Sequence, residues 1–183
     1  MTPASSDLRL RLATPADIDA IAALQSRAIA ELQRPYLTPA QIEASRASMG
    51  LDTQLIEDGT YFVVEDDASG EMAGCGGWSD RATLYGGNHS AGRSARKLDP
   101  ATERARIRAM YTHPDHVRRG VGRLVIEAAE AAARELGFAA AEMAATEAGK
   151  PFYLRCGYAV EAPFFDESGG EPVPLYKMTK RLR

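Results

Sequence analysis

The chain has 183 residues, 45% hydrophobic and 26% charged, with 22 lysines and arginines against 25 acids, for a net charge of −3. That length fits one domain spanning 1–183 and can bury roughly 70% of the unfolded surface, enough for a core. The acidic balance argues against a general nucleic-acid or anionic-membrane binder, and no run nears the ~20 apolar residues of a membrane span. Two cysteines, Cys75 and Cys156, lie far apart and outside any Cys-x-x-Cys pattern, which fits free thiols in a reducing compartment. Met1 to Asp7 show no apolar secretory core, so the expected location is the cytoplasm. Asn88-His89-Ser90 has the form of a glycosylation sequon, which carries no meaning without secretion.

Leu8, Leu10 and Leu12 alternate with Arg9 and Arg11, a period-two strand with one buried face. Thr14-Pro15-Ala16-Asp17 opens a helix with Thr14 as cap and Pro15 at its first position, and Pro35 ends it. Thr38-Pro39 starts a second helix to about Met49, and a short helical turn closes at Gly59. Tyr61 to Glu65 and Met72 to Trp78 read as a hairpin around a turn at Asp66 to Gly70. Gly74, Gly76 and Gly77 in its second strand predict a bulge or a close backbone approach. Residues 81–103, with Gly86-Gly87, Gly92 and a basic run at 93–97, are too long for a plain connection. They read first as a solvated loop, with a substrate-facing insertion as the alternative.

Ala105 to Thr112 is the central strand. Val121 to Leu136 is a helix with Val121, Leu124, Val125, Ala128, Ala132 and Leu136 on one face. Arg123, Glu127, Glu130 and Arg134 are expected on the other, and Gly137 stops the helix. Phe138 to Thr146 has the alanines of a helix, but strand–helix alternation asks for a strand there. A short helix runs from Lys150 to about Cys156, stopped by Gly157. Tyr158 to Ala162 and Leu175 to Lys180 form an antiparallel pair around an acidic Gly/Pro-rich loop at 163–174.

Between the central strand and its helix lies Val117-Arg118-Arg119-Gly120-Val121-Gly122-Arg123. Glycines let the backbone turn tightly and approach a ligand. The first helical amides lack partners and carry the positive end of the helix dipole. With three arginines nearby, phosphate or pyrophosphate is the natural guest, and a plain turn beside a solvated arginine cluster is the competing reading. No P-loop or dinucleotide fingerprint is present.

The run His113 to Gly122 resembles motif A of the GNAT superfamily of acetyl-CoA-dependent N-acyltransferases, Arg/Gln-x-x-Gly-x-Gly/Ala. Phe152-Tyr153-Leu154-Arg155-Cys156-Gly157-Tyr158 resembles its motif B, about thirty residues on. The family's leading Arg/Gln falls on Val117, so Arg118, Arg119 and the amides are left to hold the pyrophosphate. The resemblance implies an α/β (α+β) fold: a mixed, mostly antiparallel sheet of six to seven strands with a splayed central pair and about four flanking helices. It also implies acetyl transfer from acetyl-CoA, without a metal, to a primary amine of a small molecule or peptide. Coenzyme A would be bound by Met110, Tyr111, Thr112, Arg118, Arg119, Gly120, Val121, Gly122, Arg123 and Thr146. A backbone N–H near Met110 to Thr112 would stabilise the oxyanion. Tyr153, with a phenol pKa of about 10, would protonate the thiolate.

The base is not legible. The family's strand glutamate falls on Arg106, and Glu103, Asp99, Glu65, Glu142 and a water chain all remain candidates. Arg27, Arg34 and Arg46 are candidate contacts for an acceptor carboxylate or phosphate. Tyr36, Trp78, Tyr85, Phe164 and Phe165 are candidate walls of an apolar pocket. His89, His113 and His116 form no ligand pattern with the cysteines. A catalytically silent acyl-CoA sensor is the alternative function, a nucleotide binder is a distant third, and a homodimer is left open.

Overall fold

Alternation of apolar residues along the strands decides which layer each strand face meets. The computed structural model describes residues 7–183, so the secretory-signal reading of the first residues falls, apart from Asp7, outside the described part. The chain runs β1 (Leu8–Leu12), a 3-10 turn at Pro15–Asp17, α1 (Ile18–Leu32), α2 (Pro39–Ser45), α3 (Thr53–Glu57), β2 (Tyr61–Asp66) and β3 (Glu71–Ser79). It continues through β4 (Ala105–Thr112), a 3-10 turn at Pro114–His116, α4 (Val121–Glu135), β5 (Ala140–Thr146), α5 (Lys150–Arg155), β6 (Ala159–Asp166) and β7 (Val173–Arg181). The sheet has seven strands in the order β1-β2-β3-β4-β5-β7-β6. All neighbours are antiparallel except β4 and β5. The mixed sheet and its flanking helices match the expected fold class, with five helices where about four were expected.

Successive strand residues point to opposite faces. Tyr61, Val63 and Cys75 therefore pack with Ile21 and Leu24 of α1, while Val64 and Ala73 pack with Val121 and Val125 of α4. A third cluster joins Ile126, Ala129 and Ala133 of α4 to Ile107, Ala141, Met143 and Phe138. Val125 and Ile126 are buried to within 1% of completely, worth about 1.5–3 kcal/mol each.

Several expectations about faces need correction. Leu12 and Leu136 are about half exposed. Glu130, expected on the outer face of α4, is buried, because Tyr158 Oη and Lys180 Nζ reach it from distant parts of the chain. The loop expected at 163–174 is shorter, since β6 continues through Pro163, Phe164 and Phe165 against β7. Proline is tolerated there because β6 is an edge strand. The alanine-rich 140–146 segment is a strand, as the alternation required, bonded along its length to β7.

Gly137 and Gly157 end α4 and α5 in the same way. Each has a positive φ, 98° and 91°. Gly137 N–H donates to Arg134 O while Phe138 N–H donates to Ala133 O, and Gly157 and Tyr158 repeat this with Leu154 and Tyr153. This is the Schellman arrangement, and it drops a buried aromatic, Phe138 or Tyr158, back against the helix end. No helix among the described residues is long and apolar enough to cross a membrane.

Candidate active site

β4 and β5 pair only at Ala105 with Ala141 and Arg106 with Glu142. Beyond that vertex the strands diverge, β4 keeping β3 as its partner and β5 keeping β7. Residues 107–112 therefore turn one backbone edge towards a gap. A buried ion pair pins the vertex: Arg106 binds Glu142, which Arg104 and Lys177 also reach.

β4 carries a second irregularity. Cys75 pairs with Tyr111 and Gly77 with Arg108, so Ala109 and Met110 lie opposite Gly76 alone. Ala109 has φ of 50°, a left-handed conformation that costs a non-glycine residue roughly 1–2 kcal/mol. Buried groups hold it there: Tyr61 Oη donates to Ala109 O at 2.7 Å, and Gln25 Nε2 donates to Tyr61 Oη at 3.1 Å. Gly76 makes the room, since a Cβ there would stand 2.5 Å from Met110 Sδ. The glycine run of β3 thus marks both a bulge and a close approach.

The gap contains a cavity of about 130 Å³. Ile107 to Tyr111 wall it on one side, Met143, Ala144 and Thr146 on another, with Gly149 and Tyr153 from the α5 end and Ser48 to Gly50 and Leu84 to Gly86 closing it. The 81–103 insertion therefore lines this cavity at its Leu84–Gly86 segment. It is tied down by Arg81 to Asp58, Arg93 to Asp52 and Thr83 to the Ser94 backbone.

Three tyrosines line this cavity, and two have committed hydroxyls. Tyr111 Oη accepts from Gly50 N–H, and Tyr85 Oη lies against Asp166. Tyr153 Oη makes no hydrogen bond among the described residues, although Tyr153 is buried. Burial pushes its phenol well above the ordinary value, so it stays protonated at neutral pH. Thr146 Oγ1 accepts from Gly149 N–H at 3.0 Å and so turns the end of β5 into α5. Gly149 lets the Tyr153 ring sit close, since a Cβ there would lie 3.0 Å from it.

At the far end of β4 the chain passes His113 and the 3-10 turn to the glycine loop. Arg118 and Gly120 have positive φ, 62° and 87°. In the first backbone hydrogen bond of α4, Leu124 N–H donates to Gly120 O, which leaves Val121, Gly122 and Arg123 N–H without helical partners. A Cβ on Gly122 would press on Phe152 at 3.0 Å, so the second glycine also serves contact with α5. The three arginines differ. Arg119 is bound to Asp66 at 2.7 Å, Arg123 faces Glu127 on the surface, and Arg118 has no ion pair among the described residues.

The proposed bases are all occupied elsewhere. Glu65 binds Arg9 and Arg11, Glu103 binds Arg96, Asp99 caps a turn at Ala101, and Glu142 holds the sheet vertex. None of them lines the cavity. The candidate acceptor arginines are also displaced: Arg27 pairs with Glu31 and Asp115, Arg46 with Glu43, and Arg34 is exposed. Of the candidate aromatic walls, Trp78 is core against Phe138, Tyr36 and Phe165 are exposed, and Phe164 packs on Tyr85. Among the described residues no group of His, Cys, Asp and Glu is placed to hold a metal ion.

Sequence reasoning missed Arg108, which lines the cavity, Asp52, which holds it, and Arg93, which shares that carboxylate. Nothing in their spacing could have joined three positions so far apart.

A splayed parallel pair, a bulged strand and a glycine loop opening a helix define an acetyl-CoA-dependent acyltransferase fold. A profile of the acetyltransferase (GNAT) family matches residues 26–158, and the chain belongs to that family. Among solved structures it is similar to a GCN5-related N-acetyltransferase from Rhodopseudomonas palustris, at 23% identity and TM-score 0.69 over 94% of each chain. It is also similar to YncA from Salmonella typhimurium, solved with its cofactor acetyl-CoA, at 20% identity and TM-score 0.64 over 96% of this chain and 94% of that one. A PaiA N-acetyltransferase from Thermoplasma acidophilum in complex with coenzyme A matches at 12% identity and TM-score 0.62, over 95% and 98%. No curated protein sequence matches the chain significantly.

Proposed function

We propose that this acyltransferase moves the acetyl group of acetyl-CoA directly to a primary amine of a small molecule or peptide. The observation that carries the reading is the uncommitted Tyr153 hydroxyl in the gap between β4 and β5. The pantetheine arm, with its amides, pairs with the free edge of Met110, Tyr111 and Thr112, as an added strand would. The pyrophosphate lies on the amides of residues 119 to 123 and meets the charge of Arg118, with Arg123 at the rim. Arg119 contributes backbone while Asp66 keeps its side chain.

Attack by the amine places negative charge on the thioester oxygen, and a β4 amide at the bulge is the donor. One such donor is worth about 3–4 kcal/mol in other enzymes. Tyr153 then gives its proton to the departing sulfur. Burial raises the phenol, so it holds its proton until the thiolate departs and regains one from solvent afterwards. With no carboxylate or histidine among the described residues that line the cavity, the amine loses its proton through water. That costs about 4.6 kcal/mol at pH 7 for a lysine-like amine and about 1 kcal/mol for an α-amine, which favours acceptors of lower pKa.

Thiol release from acetyl-CoA over an amine panel tests this, with Tyr153→Phe alongside. The expected loss of turnover is about 10²–10⁴-fold with coenzyme A affinity kept. Unchanged turnover removes Tyr153 from the role. Val117 and the absent strand carboxylate favour the second reading, a silent acyl-CoA sensor, which predicts tight coenzyme A binding and no turnover on any amine.

A further inference from the structure

Arg108 has the one formal charge among the described residues that line the cavity. It is only 4% exposed, and its carboxylate partner, Asp52, is 3% exposed. Asp52 is shared: Arg93 Nη2 binds Oδ1 at 2.8 Å and Arg108 Nη2 binds Oδ2 at 2.8 Å. Arg93 reaches solvent, with 23% of its side chain exposed, but Arg108 does not, so the buried guanidinium has only a shared carboxylate to compensate it.

The bonds of Arg108 also fall short of its capacity. Nη1 donates to Thr83 O, and Nη2 donates to Asp52 and Gly86 O. A guanidinium has five N–H bonds, so Nε–H and one Nη1–H meet no protein acceptor among the described residues. Gly86, which the guanidinium binds, is itself part of the cavity wall. The insertion therefore holds Arg108 rigidly through backbone carbonyls and leaves it two spare donors.

We propose that Arg108 receives an anionic group of the acceptor, a carboxylate, and so selects amines that carry one. The proposal rests on the transfer reading and specifies its substrate class. A planar fork that is already held in place loses little freedom on binding a carboxylate. Polycationic amines find no counter-charge among the described residues that line the cavity. The anion site thus moves from Arg27, Arg34 and Arg46 on the outer helices to the strand beside the bulge.

The test compares free amino acids and short peptides with their methyl esters and their decarboxylated amines, on wild type, Arg108→Gln and Arg108→Lys. On wild type the ester or decarboxylated amine should lose about 10- to 10²-fold in kcat/KM, chiefly through KM. Arg108→Gln should bring the carboxylated amines down to that level and leave the esters unmoved, with Arg108→Lys between. Calorimetric coenzyme A affinity should be the same in all three. Wild-type preference for esters or decarboxylated amines overturns the proposal, as does an equal loss on both classes in Arg108→Gln. Should that variant not fold, the wild-type ratio decides alone. Should no amine turn over, N-acetylated amino acids are titrated into the coenzyme A-loaded protein. Arg108-dependent binding then upholds the anion site while ending the transfer reading, and no binding ends both.

Discussion

β4 meets positive charge at two places, beyond its α4 end and at its mid-strand bulge, in opposite ways. At the α4 end the charge is diffuse and wet: amides with no helical partner, an exposed Arg118 with no ion pair among the described residues, and glycines that shape the backbone. At the bulge end it is a single buried guanidinium, fixed by Asp52 and two carbonyls and doubled by Arg93. The first arrangement suits a solvated diphosphate. The second suits one planar anion and discriminates against others, because a buried fork left unpaired is costly. In the proposed reading, cosubstrate binding would rest on local backbone and acceptor choice on long-range side-chain contacts.

Breaking the buried end should have the larger effect on the fold. Asp52→Ala removes the shared carboxylate and leaves Arg93 and Arg108 facing each other, which should cost about 3–5 kcal/mol of stability. Urea denaturation measures it, and a loss below about 1 kcal/mol would mean that the arginines find water instead. Asp52 also accepts from Gln54 N–H at the start of α3, so part of the loss is a cap. Gly120→Ala attacks the other end. Its side chain would meet open space, so the cost is that of the left-handed conformation alone, about 1–2 kcal/mol, seen as a lower melting temperature.

Sharper still is the contrast inside the loop. Arg118→Ala should weaken coenzyme A binding about five- to tenfold, with a shallower salt dependence. Arg119→Ala should weaken it less and instead lower stability through the lost Asp66 contact. Calorimetry at two salt concentrations separates them, and equal losses would show that Arg119 leaves Asp66 for the ligand.

The smallest effect touches neither end. Arg11 holds the Asp17 carboxyl, and Arg96 the Glu103 carboxyl, down to about 2. A lowered carboxylate pKa stabilises the fold above the ordinary values of 3.8 and 4.5, and the contribution fades as pH falls towards 2. Melting temperature should therefore be flat from neutral pH to about 5 and decline below. Arg11→Gln should flatten part of that decline.

How legible these regions were follows from their construction. The glycine loop and motif B are contiguous, so the family resemblance could be read from them, and the glycines of β3 suggested a bulge or a close approach without saying that the extra residue lies on β4. The strand at 140–146 was legible from alternation despite its alanines. The burial of Glu130 was not, because its partners Tyr158 and Lys180 come from elsewhere in the chain. The second half of β6 was hidden by Pro163, which an edge strand accepts. Arg108 was hidden most completely: its meaning depends on residues 52, 83, 86 and 93, which only the folded insertion brings together.

A crystal structure with acetyl-CoA bound tests the central claim most directly. The account predicts the pantetheine arm between β4 and β5, with the thioester sulfur within hydrogen-bonding distance of Tyr153 Oη and the acetyl group turned towards the Arg108 side of the cavity. An arm lying outside the gap, or a sulfur remote from that hydroxyl, would contradict it.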